Sequence, residues 1–321
     1  MRAVVYTGAG GNEVVQVEER PDPAAGGAEV LVAVRFAGLN PADLMQRAGN
    51  YPAPPGSPAD VPGLEVAGVV AACGPGVHNW QAGDRVFGIV GGGGLADRVV
   101  VHERHLARVP ERLSDEEAAA APEGFITAQD AVVTQAGLRL GELLLVNGAN
   151  GGVGSSAVQI GLAAGARVFG SVRSDEARAR IAALGAVAVA PEEAVEQVRA
   201  AGGADVVLEL IGAPNLVGDL EALATKGRLV IVGTGAGHEA SFSLRAVMGK
   251  RLRIHGTVLR ARPLEEKAAA VQAFAREIVP LLACGRVRPL VDRIFPVAEI
   301  AAAFDHLEAP GKLGKVLVEF D

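Results

Sequence analysis

The pattern of hydrophobic and polar positions divides the chain into three parts. In the first part, Val30, Val32, Val34 and Phe36 occupy every second position, which is the period of a half-buried strand. In the second part, short apolar runs alternate with helical stretches between about residues 142 and 258. The strand candidates there are residues 142–147, 167–172, 187–190, 205–210, 228–233 and 253–258. This alternation predicts a parallel, doubly wound sheet.

The third part, after the alternating region, mixes helical and strand-like segments. A long helical stretch covers about residues 264–283, and strand-like runs cover 291–295 and 315–319. A further helical stretch, residues 115–136, precedes the alternating region. Frequent Gly and Pro residues punctuate the β-rich segment before residue 110.

These segments predict an α/β protein with two domains. We expect residues 123–264 to form the doubly wound parallel (Rossmann) domain. Residues 1–122 and 265–321 then form one β-rich domain, to which the C-terminal tail returns. A chain of 321 residues is long enough for this arrangement.

Glycines are concentrated at one predicted strand-to-helix turn, which follows the apolar run of residues 143–146. In a β-α-β unit, such glycines let backbone N–H groups approach a pyrophosphate, and the helix N-terminus favours its charge. The spacing G-x-x-G-x-x-G differs from the common G-x-G-x-x-G. A tight turn without a ligand and a site for a methyl-donor nucleotide therefore remain alternatives. The expected cofactor contacts at the turn are Gly148, Asn150, Gly151, Gly152, Val153 and Gly154.

The end of the second predicted strand distinguishes between NAD and NADP. An NAD site usually places an acidic residue there, whereas an NADP site supplies Arg or Lys for the 2′-phosphate. This chain has Ser171, Arg173 and Ser174 and no acid at that strand end. Because a cation at a helix N-terminus is disfavoured by the dipole, Arg173 is better explained as a phosphate ligand than as a solvated cation. Ser174 is alternatively the N-cap of the next helix. We predict NADPH as the cofactor.

Composition and charge exclude several classes of protein. The net charge of −7 argues against nucleic acid or an anionic membrane as the main partner. No apolar run has the length of a membrane span, and the N-terminus lacks a signal-peptide core. Cys73 and Cys284 cannot form a disulfide framework or a four-cysteine zinc site. We therefore expect a cytoplasmic protein that acts on a small molecule.

Ordered blocks of sequence along the whole chain resemble a known family. They are GLNPADLMQRAGNYPAPPG (38–56), PGLEVAGVV (62–70), AAAAPEGFITA (118–128), GANGGVG (148–154), GTVLRARPLEEK (256–267) and GKLGKVLVEF (311–320). Together they resemble the zinc-independent, zeta-crystallin-like quinone oxidoreductases of the medium-chain dehydrogenase/reductase superfamily. The resemblance implies a GroES-like β domain split around a Rossmann domain, NADPH as cofactor, and a homodimer.

The resemblance also bears on metal binding. Zinc-dependent relatives carry G-H-E where this chain has Gly63, Leu64 and Glu65, and a Cys where this chain has Asn40. Leu64 cannot bind a metal, so no catalytic zinc is expected. The one close histidine pair, at positions 102 and 105, is expected to be a surface pair because no third ligand is apparent.

The resemblance assigns roles to further residues. It implies that Asn40 and Asp43 line the nicotinamide side of the catalytic cleft and that Tyr51 faces the substrate. The cofactor contacts it implies beyond the glycine turn and the second strand are Thr127, Gly233, Thr234, Leu259, Arg260 and Lys315.

Each of these roles has a plainer alternative. For Asn40 and Asp43, the alternative is that they only cap the segment PADLMQR. For Tyr51, the alternative is an aromatic side chain in a loop. Lys315 is alternatively a solvated surface residue, and Thr127 alternatively only turns a helix.

The chain also departs from the family pattern. Met45 stands where many relatives have a tyrosine near the active site. Glu176 and Pro191 lie near the positions of a Lys and a Tyr that hold the 2′-phosphate in some relatives. Neither can donate a side-chain hydrogen bond to a phosphate, so Arg173 is expected to serve alone.

These inferences favour an NADPH-dependent reductase that transfers hydride to a quinone without zinc. A quinone is a strong electrophile and its reduced anion takes protons at oxygen, so no metal or strong acid is needed. The first alternative is a reductase of α,β-unsaturated carbonyls. The second is an NADPH-binding structural or regulatory protein without turnover. A homodimer is expected through the edge strand near residues 253–256, because pairing across a two-fold axis satisfies its free backbone groups.

Overall fold

The computed structural model of the chain describes residues 1–320. It divides into two compact units. The first contains Met1–Ile126 and the chain from Leu259 onward, and the second contains Thr127–Val258. The sequence-based domain boundaries, after residues 122 and 264, differ from these divisions by a few residues and stay predictions.

Strands predominate before residue 110, and strands and helices alternate between residues 143 and 256. The strands are β1 (Arg2–Tyr6), β2 (Val15–Glu19), β3 (Glu29–Leu39), β4 (Glu65–Cys73), β5 (Arg85–Ile89), β6 (Arg98–His102), β7 (Leu106–Arg108), β8 (Leu143–Asn147), β9 (Arg167–Ser171), β10 (Val187–Val189), β11 (Ala204–Glu209), β12 (Leu223–Ile231), β13 (Arg253–Gly256), β14 (Val291–Pro296) and β15 (Lys315–Glu319). The α-helices are α1 (Pro41–Arg47), α2 (Asp115–Ala119), α3 (Pro122–Gln129), α4 (Gly152–Ala163), α5 (Asp175–Ala183), α6 (Pro191–Ala200), α7 (Leu216–Ala222), α8 (Leu244–Lys250), α9 (Leu264–Glu277), α10 (Val279–Cys284) and α11 (Ile300–Glu308). Short 3₁₀ segments cover Asn12–Val14, Glu103–His105, Ala213–Asn215 and Val297–Glu299, and a π-helix covers Asp130–Gln135.

The second unit is built on a six-stranded sheet in the order β10-β9-β8-β11-β12-β13. All neighbouring strands in it are parallel. The central strand β8 is buried at every position, because helices cover both faces of such a sheet and its strands are continuous apolar runs. The predicted doubly wound parallel sheet is therefore confirmed.

Strand β12 starts earlier than the apolar pattern indicates. The prediction placed it at residues 228–233, whereas it runs from Leu223 to Ile231. The pairing of β11 with β12 shifts register between Ala204 and Val206. Lys226 has a φ of 68°, a left-handed conformation. The polar residues and the glycine around this irregularity interrupt the apolar run. The hydrophobic pattern therefore does not indicate the first half of the strand.

The first unit holds a seven-stranded sheet in the order β14-β15-β3-β4-β5-β7, with β6 pairing β3. Strand β15 runs antiparallel to β3, with Val316 opposite Leu39. The predicted return of the C-terminal tail to the N-terminal β domain is thus confirmed. This pairing places Lys315, the first residue of β15, beside the carboxyl end of β3.

Two helical stretches predicted as continuous are interrupted. The stretch 115–136 breaks into α2, α3 and the π-helix, and α3 begins at Pro122. The stretch 264–283 breaks at Ile278, and Pro280 lies in the first turn of α10. A proline lacks the N–H that a helix interior requires, but it is tolerated in a first turn. No helix within residues 1–320 combines the length and the hydropathy that crossing a membrane requires.

Candidate functional site

The glycine turn lies between the buried strand β8 and helix α4. Gly148 has a φ of 78°, a left-handed conformation that glycine adopts without steric cost. Gly151 is the N-cap of α4, with extended backbone angles. The first turn of α4 contains no acidic residue. The helix therefore begins with backbone N–H groups and no side-chain cap from Gly151, which suits an anion.

The glycines of this turn have two different tasks. A Cβ on Gly154 would lie 2.2 Å from the carbonyl oxygen of Gly148, so Gly154 permits close packing of the helix on the turn. A Cβ on Gly151 would meet nothing closer than 3.8 Å, so that side of the turn is open. An open backbone surface at a helix N-terminus fits a dinucleotide pyrophosphate.

The end of β9 carries two guanidinium groups. Arg173 is exposed, and Nη1 of Arg178 donates to the carbonyl oxygens of Val172 (3.2 Å) and Arg173 (2.7 Å). Arg178 was missed from the sequence, because only the first helical turn brings it back to the strand end. Ser174 Oγ accepts the N–H of Ala177 at 3.2 Å. The alternative interpretation of Ser174 as a helix N-cap is therefore confirmed, while its contact with a cofactor stays a prediction.

The remaining predicted cofactor residues of this unit lie at strand ends or on α3. Ser171 is buried, and its carbonyl oxygen accepts the N–H groups of Gly148 and Ala149. Gly233 follows β12, where a Cβ would lie 2.2 Å from the carbonyl oxygen of Leu210. Thr234 is its neighbour, and Thr127 is buried on α3.

A buried polar network supports the turn and was not predicted from the sequence. Nδ2 of Asn147 donates to Glu209 and to Asp219, at 2.7 Å each. Oε1 of Glu209 accepts the N–H groups of Ile211 and Gly212. The pKa of Asp219 is raised far above its ordinary value, mainly by burial and further by the charge of Glu209 and a hydrogen bond with Glu209. Asp219 therefore keeps its proton at neutral pH.

This network fixes the strand ends next to the glycine turn. Asn147 and Glu209 are the last residues of β8 and β11, and the side chain of Ile211 packs against Gly148. The sequence contained one signal for it, because each of the two residues is a polar residue directly after an apolar run.

In the first unit, the ammonium group of Lys315 lies in a cluster of oxygen atoms. Nζ is 2.5 Å from Oε1 of Glu65 and donates to Oδ1 of Asn40 (2.6 Å) and to the carbonyl oxygen of Leu39 (2.8 Å). The side chain of Lys315 is 5% exposed and that of Glu65 is fully buried. The alternative of a solvated Lys315 is therefore wrong. All three of its N–H donors have internal acceptors.

Asn40 and Asp43 are held by the same part of the structure. Nδ2 of Asn40 donates to Glu65 (3.1 Å) and to the carbonyl oxygen of Gly38 (3.2 Å). The carboxylate of Asp43 accepts the N–H groups of Asn40 (2.8 Å) and Gly63 (3.1 Å). The capping alternative therefore holds for Asp43, whereas the amide of Asn40 has partners beyond a cap. Burial raises the pKa of Asp43 to about 6, against the effect of its two backbone donors.

Tyr51 is fixed by Arg260. The guanidinium carbon of Arg260 lies 4.9 Å from the centroid of the Tyr51 ring, and Nη1 donates to the carbonyl oxygen of Tyr51. Burial raises the pKa of the Tyr51 phenol. Tyr51 therefore lies in a loop with a fixed ring, while its contact with the substrate stays a prediction. Leu259, which precedes Arg260, is buried.

The side chains at the positions of zinc ligands are not arranged for a metal. Leu64 is buried in the core. In the histidine pair, Nδ1 of His102 accepts the N–H of Arg104, and burial lowers the pKa of His105 to about 4. Within residues 1–320, no group of three or more His, Cys, Asp or Glu residues is placed to hold a metal ion.

Two known families match separate parts of the chain, and individual proteins match it over almost its full length. The family described as alcohol dehydrogenase GroES-like domain matches residues 26–111, and the family described as zinc-binding dehydrogenase matches residues 152–276. The quinone oxidoreductase of Rattus norvegicus is 32% identical over 99% of this chain and 97% of its own length. The synaptic vesicle membrane protein VAT-1 homolog-like of Homo sapiens is 28% identical over 100% of this chain and 81% of its own length.

Solved structures share the fold. The quinone oxidoreductase of Thermus thermophilus, solved alone and in complex with NADPH, is 38% identical, with a TM-score of 0.87 and full coverage of both chains. The split β domain and the doubly wound sheet are the architecture of a nucleotide-dependent oxidoreductase. The chain belongs to the quinone oxidoreductase-like proteins of the medium-chain dehydrogenase/reductase superfamily. It is an NAD(P)H oxidoreductase that uses a nicotinamide cofactor.

Two glycine variants should separate packing from binding at the turn. Gly154→Ala forces a Cβ against the Gly148 carbonyl oxygen, and we expect a loss of about 1–3 kcal/mol in the free energy of unfolding. Gly151→Ala meets open space, so its stability should be unchanged. Its affinity for the dinucleotide should fall about tenfold, because the methyl group covers the phosphate surface. Thermal unfolding measures the stability of each variant, and cofactor titration measures its affinity for the dinucleotide. Equal effects of the two variants on binding would contradict this division.

The buried ion pair predicts a strong coupling between Lys315 and Glu65. Lys315→Met leaves a buried carboxylate unpaired, and we expect a loss of about 3–5 kcal/mol in urea unfolding. Adding Glu65→Gln removes that charge, so the double variant should lose at least about 1 kcal/mol less than the sum of the two single losses.

Arg98→Met is the matched control for this cycle, because it breaks an exposed pair with Asp22. Its loss should stay below about 1 kcal/mol. Equal losses for Lys315→Met and Arg98→Met would show that the buried pair has no special weight.

Proposed function

We propose that the protein is an NADPH:quinone oxidoreductase that works without zinc. One observation carries the choice of acceptor. Two polar side chains expected at the catalytic centre, those of Asn40 and Asp43, bond to backbone groups, and Asn40 also bonds to Glu65 and to Lys315, which is expected at the cofactor. Such a site offers orientation and little acid catalysis. A quinone suits it, because a quinone needs protons only at oxygen and water can supply them.

The cofactor preference is supported at the end of β9. Arg173 provides positive charge there, whereas the charge of Arg178 is paired with Asp175. No acidic residue occupies the strand end to accept a ribose hydroxyl. When bound, the reduced nicotinamide supplies a hydride. The open face of Gly151 would hold the pyrophosphate, and the guanidinium of Arg173 would pair with the 2′-phosphate.

The reaction asks little of the protein beyond positioning. The quinone takes up one hydride and one proton to give a hydroquinone, and the proton is added at oxygen. Tyr51 shapes the acceptor pocket, while Asn40 keeps one orientation because Lys315 and Glu65 bind opposite ends of its amide. Holding the acceptor in a reactive geometry is then the main contribution of the chain.

Zinc does not fit the donor set. Asn40 offers an amide and Leu64 a hydrocarbon, and the Lys315 ammonium already lies between the oxygens of Asn40 and Glu65. A second cation there would be repelled. Elemental analysis of the active protein should therefore find well under one zinc per chain.

We also propose a homodimer through β13. This strand is an edge of the six-stranded sheet, and Leu244 and Met248 on α8 are exposed hydrophobic side chains of the same unit. Pairing of Arg253–Gly256 with its copy would satisfy backbone groups that an edge leaves open. The mass in solution at micromolar concentration tests this state.

A reductase of α,β-unsaturated carbonyls is the second candidate. It is favoured by the fixed phenol of Tyr51, because an enone needs a proton at carbon and benefits from a placed donor. Turnover with either acceptor would separate both candidates from a cofactor-binding protein without activity.

The cofactor proposal predicts a selective effect of Arg173→Ala. NADPH binding should weaken by about 1.5–3 kcal/mol, the scale of a hydrogen bond to a charged group, while NADH binding stays nearly unchanged. Arg180→Ala, an exposed position later on α5, is the matched control and should leave both affinities unchanged. Equal affinity of the unmutated protein for NADH and NADPH would overturn the proposal.

The acceptor proposal predicts a ranking. The kcat/KM should be higher for an ortho- or para-quinone than for an alkenal under the same conditions. Tyr51→Phe should lower the quinone value less than about tenfold, because Tyr51 only shapes the pocket. A loss within the range of general-acid catalysis, about 10²–10⁴-fold, would make Tyr51 a proton donor and favour the enone reductase.

A further inference from the structure

We propose that Arg260 is a positioning residue of the acceptor site, which holds the Tyr51 ring in place, and that it is not a ligand of the cofactor. The inference rests on the proposed function, since it takes Tyr51 as part of the acceptor pocket. It differs from the role that the family resemblance implies for Arg260. Arg260 and all of its partners belong to the first unit.

Each nitrogen of the Arg260 guanidinium bonds a different segment. Nε donates to the carbonyl oxygen of Gly91 (2.8 Å), which lies in the turn after β5. Nη1 donates to the carbonyl oxygen of Tyr51 (3.1 Å), and Nη2 donates to Oε1 of Gln46 on α1 (2.5 Å). One planar group therefore joins a turn, a loop and a helix. The rigid fork of an arginine suits this task, whereas a lysine has one donor atom.

The loop that carries Tyr51 is held at two points. Arg260 bonds its backbone and stacks on its ring. Gln46, which accepts from Arg260, donates through Nε2 to the carbonyl oxygen of Ala59 (3.1 Å). The proline-rich segment between Tyr51 and Ala59 is thereby tied to α1 through the Arg260–Gln46 pair.

The arrangement leaves the Tyr51 hydroxyl available. The guanidinium contacts the face of the ring and the backbone carbonyl. Tyr51 is partly exposed, and within residues 1–320 its hydroxyl has no hydrogen-bond partner. A phenol with a fixed ring and a free hydroxyl is suited to contact a bound molecule.

Arg260 itself has little capacity for a phosphate. It is 6% exposed, and each of its three nitrogens has an acceptor in its own unit. Its carbonyl oxygen also accepts a hydrogen bond from the buried ammonium of Lys267 (2.8 Å). Arg173, by contrast, is exposed, as the bidentate recognition of a phosphate requires.

The kinetic test uses Arg260→Met, which keeps the length of the side chain and removes its donors and charge. We expect the KM for an ortho-quinone to rise about tenfold, kcat to change less than about threefold and the NADPH Kd to stay within about twofold. If the NADPH Kd weakens about tenfold while the quinone KM is unchanged, Arg260 is a cofactor ligand and the inference is wrong.

A spectroscopic test is independent of turnover, because the chain has two tyrosines, Tyr6 and Tyr51. Burial raises the pKa of Tyr6 far above its ordinary value, so the phenolate absorbance that appears first belongs to Tyr51, and Tyr51→Phe identifies it. The Arg260 charge opposes the effect of burial on the pKa of Tyr51. Arg260→Met should therefore raise the pKa of Tyr51 further. Arg260→Lys retains the charge and should shift the pKa less, while the quinone KM still rises because the bridge is lost.

Controls separate positioning from general destabilisation. Arg228→Met removes another largely buried arginine, which donates to the carbonyl oxygens of Ala136 and Gly137 in the second unit, and should leave the quinone KM unchanged. If Arg260→Met does not fold, Gln46→Leu removes one contact of the bridge and should raise the KM in the same direction by a smaller factor.

The outcomes also separate this inference from the proposed function. If the unmutated protein reduces no quinone, the proposed function fails. The positioning role of Arg260 is then tested by the Tyr51 titration and by the KM for an alkenal. An unchanged Tyr51 titration in Arg260→Met would overturn the inference even if quinone turnover is fast.

Discussion

The buried ion pair of Lys315 and Glu65 is the interaction on which the site of the first unit depends. A buried charge is costly unless it is paired and hydrogen-bonded, so the ammonium group needs all three of its oxygen partners. These partners come from the end of β3, from Asn40 and from the start of β4. The last strand must therefore pair with β3 for the site to exist. The same requirement fixes the amide of Asn40 and leaves no donor of Lys315 free.

The second unit achieves its site by the opposite means. The surface proposed to bind the cofactor is mainly backbone, and a Cβ on Gly151 would meet no atom closer than 3.8 Å. The strand ends beneath are fixed by Asn147, Glu209 and a protonated Asp219. The proton on Asp219 matters because two adjacent buried carboxylates would repel each other and disfavour the anionic cofactor. In the proposed function, one unit orients an acceptor with paired side chains, and the other presents N–H groups to phosphates.

The sequence predicted the fold well where one periodicity determined it. The parallel sheet and the return of β15 follow from apolar runs, whose burial is a local property of the strand. The sequence could not show which groups Lys315 and Arg260 bind, because their partners lie far away in the chain. From the sequence alone, either side chain is equally well interpreted as a solvated surface cation. For the same reason, the sequence allows two interpretations of Ser174, a helix N-cap and a cofactor ligand. Arg178 and Asp219 were missed because their function depends on a helical turn and on a neighbouring strand end.

We propose that a bound nicotinamide and the side chains of this chain suffice for hydride transfer to a quinone. The most direct measurement is single-turnover NADPH oxidation by metal-stripped protein, with NADPH deuterated at either position of C4. We predict that an ortho-quinone oxidises NADPH on metal-stripped protein at the same rate as on untreated protein. A primary isotope effect is expected from one C4 position. NADPH oxidation that stops on metal removal and returns only with zinc would contradict it.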